Sequence, residues 1–153
     1  MDCRQRSSAR RKDQDDAARR YGTRQSPPAT RIRRRKAACA ITIGGGGIEA
    51  TLADSDAARD FASLLPLTLA MNDLFRREKF ATLPRAISEQ GKRTRDYAVG
   101  TIGYWPPGPD VAIFYRQDGE SIPAPGLIVL GRIKAGIEAF AEPGVIRVTI
   151  EQS

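Results

Sequence analysis

The sequence predicts a mostly β domain over residues 38–153: a closed or nearly closed antiparallel barrel of eight strands, with one clear helix and one short helix. Three observations lead there. From Ala38 onward, eight short runs either alternate apolar with polar side chains or are continuously apolar, the pattern of strands with buried faces. Glycine and proline clusters punctuate those runs, as antiparallel turns require. Only one stretch shows strong helical spacing, so few helices are available to cover sheet edges, and closure removes the edges instead.

The elements follow in order. Cys39–Ile43 and Ile48–Leu52 read as strands joined through Gly44–Gly47, a run suited to a hairpin. Asp54-Ser55-Asp56 opens the clear helix: Asp54 or Ser55 caps free N–H groups, and the acidic first turn suits the helix dipole. Ala57, Ala58, Phe61, Leu64 and Leu65 share one helical face, and Pro66 ends the segment. Leu67–Met71 alternates as a half-buried strand, and Lys79–Leu83 is a strand bounded by Pro84. Residues 85–98 are polar and read as a long loop. Thr101–Trp105 and Val111–Tyr115 are strands on either side of the rigid turn Pro106–Asp110. Leu127–Ile133 is an apolar strand, Ala135–Ala141 the short helix, and Val145–Glu151 the closing strand.

Charge separates the chain into two parts. Residues 1–37 carry 13 Lys/Arg against 4 Asp/Glu, whereas residues 38–153 carry 12 against 14, so the basic character belongs to the first segment alone. That segment has too few large apolar side chains to offset the entropy of ordering, and is expected to be a disordered basic arm. Its run Arg31, Arg33, Arg34, Arg35 and Lys36 is able to attract nucleic acid by counterion release, although it lacks interleaved aromatics. Cys3 and Cys39 have no CxxC spacing, which fits two reduced thiols in a cytoplasmic protein. No apolar run approaches the roughly 18 residues of a membrane helix.

The run Leu127–Phe140, with Gly131, Arg132, Lys134 and Gly136 spaced between aliphatic residues, resembles the strand–turn–helix near the C-terminus of cyclophilins. Gly103–Tyr115 and Ala57–Leu67 are similar to the paired strands and first helix of the small bacterial cyclophilin-like domains. The resemblance spans residues 39–151 and implies an eight-stranded barrel capped by two helices. A cyclophilin's prolyl isomerase activity would need an apolar groove and an arginine aimed at the twisting peptide. At the place of the Phe-His-Arg motif stands Phe80-Ala81-Thr82, Leu127 stands where the family strand opens with histidine, and the groove tryptophan falls near Ile122. Phe114 stands for one groove phenylalanine.

The chemistry open to the chain is narrow. It has no histidine, which excludes Ser–His and Cys–His nucleophilic pairs and histidine metal sites. No metal or cofactor is expected. The glycine run is not a phosphate loop, because no GKS/T follows and Ile48 continues as a strand. What remains is an aromatic groove built from Phe80, Thr82, Tyr104, Trp105, Phe114, Tyr115 and Leu127, able to hold a small apolar ligand or a proline-containing peptide. The functional expectation is therefore a non-catalytic binding or accessory module. The alternatives are a weak peptidyl-prolyl isomerase and nucleic-acid association through the arm.

Overall fold

The computed structural model describes residues 37–153. The basic arm, with Cys3 and the Arg31–Lys36 run, lies outside the described residues. Nine strands run β1 Ala38–Ile43, β2 Gly46–Leu52, β3 Leu67–Leu74, β4 Glu78–Thr82, β5 Arg93–Thr94, β6 Thr101–Trp105, β7 Asp110–Phe114, β8 Leu127–Ile133 and β9 Ile146–Gln152. A helix, α1 (Asp56–Ser63), follows β2, and a 3₁₀ turn over Ile137–Ala141 precedes β9. All pairings are antiparallel, in the order β2-β1-β9-β3-β4-β7-β6-β8, and β8 pairs back to β2. The eight strands thus form a closed barrel, and β5 is one strand more.

Strand β8 makes closure possible. Its one edge pairs with β6, while its other edge is shared, Leu127–Ile128 pairing with β5 and Gly131–Ile133 with β2. The β6 register jumps from Ile102↔Gly131 to Gly103↔Val129, leaving Leu130 as an extra residue. Such a bulge bends a strand, as a barrel corner requires, and Leu130 is fully buried in the interior.

Side-chain alternation then sorts residues to two faces. Ile41, Met71, Val111, Ile113, Ile128 and Val148 point inward, joined by Ala57, Ala58 and Phe61 of α1. Ser55 starts that helix by accepting the Ala58 N–H at 3.1 Å. Ala112, Phe114 and Leu127 point the other way, and with Tyr97 and Ile122 form a separate buried cluster on the barrel's outside. This second cluster is what sets one outer face apart from ordinary solvated sheet.

Two elements differ from the sequence expectation. The short helix is a five-residue 3₁₀ turn, because Gly136 enters it in a left-handed conformation at φ 87° and Pro143 follows closely. Within the segment expected to be a loop, Arg93 and Thr94 add to the edge of β8, a pairing of polar residues that carries no apolar signal.

Candidate functional site

The outer face of β4, β7 and β6 is low in the middle and high at its margins. At its centre lies Ala112, paired across the strands with Phe80 on one side and Gly103 on the other. Neither small residue stands up from the sheet. A Cβ on Gly103 would come within 3.0 Å of Leu127 Cδ1, so glycine there lets Leu127 lie down across β6. Around this floor stand Phe80, Trp105, Leu127, Ile122, Pro123 and Leu74. They line a cavity of about 220 Å³, small for a ligand site, half open to solvent and mostly apolar.

The outer rim is a loop, residues 115–126, pinned to the strap that carries β5. Arg95 and Ile122 exchange hydrogen bonds: the Ile122 N–H donates to the Arg95 carbonyl at 2.7 Å, and Arg95 Nε donates to the Ile122 carbonyl at 2.8 Å. The Tyr97 hydroxyl donates to Asp118 at 2.7 Å and accepts the Asp118 N–H. Ile122 is thereby held over the sheet, 3% exposed, by bonds to a segment more than twenty residues away.

A buried ion pair closes one end. Arg77 is 5% exposed and Glu78 7%, and both line the cavity. Arg77 donates from Nε at 2.9 Å and Nη2 at 2.7 Å to the same oxygen, Glu78 Oε2, while its Nη1 lies 3.5 Å from Asp118. The guanidinium sits 5.2, 5.4 and 5.7 Å from the ring centres of Tyr97, Phe75 and Phe114, and Tyr97 stacks on Phe114. Arginine tolerates such a site because its planar, weakly hydrated head stacks on rings. Burial pushes the Glu78 carboxyl above its ordinary range, outweighing the opposing bonds and charge of Arg77.

The turn leading to this pair is strained. Phe75 and Arg76 have φ of 55° and 50°, and the Arg77 N–H donates to the Leu74 carbonyl at 3.1 Å, the φ signature of a type I′ turn. The β1–β2 hairpin has the same signature at Gly44 and Gly45, φ 54° and 87°, using residues that adopt it freely. Phe75 instead stands 73% exposed at the cavity mouth. Replacing Phe75-Arg76 by Asn-Gly should stabilise the protein by about 1 kcal/mol in urea denaturation, after subtracting the lost Phe75–Arg77 stacking. A loss of stability would mean that the stacking outweighs the strain.

Of the residues singled out from sequence, Phe80, Trp105 and Leu127 line the cavity, and Phe114 lies in the cluster beneath. Thr82 is exposed and reaches the rim only by donating to Asp110 at 2.8 Å. Tyr104 and Tyr115 do not line it. Each follows or precedes an outward residue by one position, and alternation turns it away. Tyr104 is 1% exposed in the barrel core, its hydroxyl accepting the Ile87 N–H at 3.2 Å, and Tyr115 packs against that core with its hydroxyl donating to Asp73. The sequence carries no signal for Arg77, Glu78 and Phe75, since charges beside a hairpin corner are ordinarily solvated.

A second depression of about 1060 Å³ runs along β8 between β2 and β5, lined by Glu49, Asp54 and Asp96 against Lys92, Arg132 and Lys134. It is broader and more open, and its apolar residues, Leu52, Ala53 and Val129 among them, are interspersed with charges of both signs. Cys39 is fully buried, and burial pushes its thiol up to about 11, so it is a poor nucleophile. Among the described residues no three His, Cys, Asp or Glu side chains converge as a metal site.

The chain matches the model of the Cyclophilin-like family over residues 41–151. It is also similar to the solution structure of a hypothetical protein from Archaeoglobus fulgidus, with a TM-score of 0.61 and 21% identity over 77% of this chain and 95% of that one. At that identity the likeness speaks for the fold. Among curated proteins, none matches the sequence.

Proposed function

The chain belongs to the cyclophilin-like family, and from that premise we propose that it is a non-catalytic binding module whose ligand enters the outer-face cavity between β4, β6, β7 and the 115–126 loop. The observation that carries this is the cavity itself: an apolar floor kept low by Ala112, ringed by Phe80, Trp105, Ile122 and Leu127 on a rigid sheet. A ring-sized apolar group, such as a proline side chain, is what such a space accepts.

Holding is favoured over twisting by the state of the one guanidinium in the wall. A prolyl isomerase would present free donors to the turning peptide nitrogen, whereas Arg77 spends Nε and Nη2 on Glu78 and sets Nη1 toward Asp118.

Trp105 is the chain's single tryptophan and lines the cavity, so its fluorescence reports on this site alone. Titration with N-acetylprolinamide or toluene should shift that emission saturably, and Ala112→Leu, which grows into the cavity, should abolish the shift. No saturable change with either ligand would overturn the binding reading. In a protease-coupled assay the isomerisation rate should equal that of buffer; a faster rate that falls in Arg77→Ala would mark a catalyst instead.

A further inference from the structure

We infer that the cavity selects ligands in which an apolar ring carries a protonated amine, and that Glu78 is the group that recognises the amine. The inference rests on the proposed binding role of this cavity and adds the charge of what enters it.

Glu78 stands on β4 opposite Phe114, faces outward, and its side chain is 9% exposed. Both bonds from Arg77 go to one oxygen, Oε2. Among the described residues no donor reaches the other oxygen, Oε1, although Glu78 lines the cavity. Among the described residues no buried side-chain oxygen lacks a partner, so Oε1 retains solvent contact and is the part of the carboxylate open to a donor entering the cavity. The surroundings set the sign of that donor. The charged lining residues are Arg77, Glu78 and Asp110, and Asp118 lies behind Arg77, so acids outnumber the lone base. Asp110 accepts from Thr82, which leaves its charge in place. Arg77 has its guanidinium flanked by rings and turned onto Glu78 and Asp118, so an incoming anion finds no free cation there. An ammonium finds a carboxylate oxygen at one end, with Phe80, Trp105 and exposed Phe75 offering ring faces beside it.

Three probes of one shape separate the terms: benzylammonium, benzyl alcohol and benzoate, titrated against the full chain with Trp105 emission as readout. Benzylammonium should bind at least about tenfold more tightly than benzoate and severalfold more tightly than benzyl alcohol, the size of effect a hydrogen bond to a charged group provides. Glu78→Gln should bring benzylammonium to within about twofold of benzyl alcohol, the two ligands being compared within the same variant. If Glu78→Gln does not fold, the ratio in the unaltered protein still decides. Benzoate binding as tightly as benzylammonium overturns the inference while leaving the cavity a binding site. Silence from all three probes overturns the inference and the binding role together.

Discussion

Arg77→Ala is expected to destabilise the fold by about 3–5 kcal/mol, among the largest effects of any single change outside the barrel core. The arginine's own contribution is the smaller part. Its removal leaves Glu78, 7% exposed, without a counter-charge, and takes away the guanidinium that lies against the Tyr97, Phe114 and Phe75 rings. The double variant Arg77→Ala/Glu78→Gln should therefore recover part of the loss, because the uncompensated charge goes with the second substitution. pH supplies a second check. Burial already raises the Glu78 carboxyl, so the folded state takes up its proton more readily than the unfolded chain, and this group's contribution to stability grows as pH falls. Without Arg77 that rise is larger. The stability gap between the variant and the unaltered protein should thus narrow between pH 7 and pH 5 in urea melts. A gap independent of pH would mean that Glu78 finds another partner when Arg77 is lost.

Lys79→Met is expected to cost about 3 kcal/mol, with a local signature at the far end of the chain. Lys79 is wholly buried, an unusual condition for a lysine. Its ammonium donates to the Glu142 carbonyl at 2.6 Å and to the Gly144 carbonyl, and lies 3.2 Å from Asp73. It thus ties the turn before β9 to the β3–β4 hairpin. Methionine keeps most of the volume but supplies no donor, so two carbonyls lose a donor and Asp73 loses its counter-charge at once. The neighbouring Tyr115 hydroxyl stays a donor to Asp73, since burial and that carboxylate push it up to about 12. Hydrogen exchange should accelerate around residues 142–146 more than in β6 or β7. Uniform acceleration across the barrel would show that Lys79 acts as general core packing and not as a latch.

The fold was largely legible in the sequence because its strands carry a period-2 pattern that local chemistry enforces. Val145–Glu151 alternates in sequence and Thr101–Trp105 is bounded by the Pro106–Asp110 turn, and both sit one residue or less from their observed bounds. Alternation also constrains the site more than composition does. Adjacent aromatics such as Tyr104-Trp105 and Phe114-Tyr115 must take opposite faces, so only one of each pair can share a groove. Which one does is decided by register and closure, which are long-range.

The Arg77–Glu78 pair was illegible for the same reason. In sequence it is a charged hairpin corner. Its burial comes from Tyr97, Phe114 and Asp118, twenty to forty residues later, brought over it by the pinned 115–126 loop. Strand β5 has no sequence signature, because two polar residues pairing through backbone alone leave no side-chain pattern.

A binding module of this kind holds its ligand in the outer-face cavity. Intermolecular nuclear Overhauser effects between a saturating ring ligand and the protein test this most directly. Contacts from the ligand ring to Phe80, Trp105 and Leu127, with none to Thr51 or Val129 in the broad depression along β8, are the predicted result. Contacts confined to that depression would contradict it.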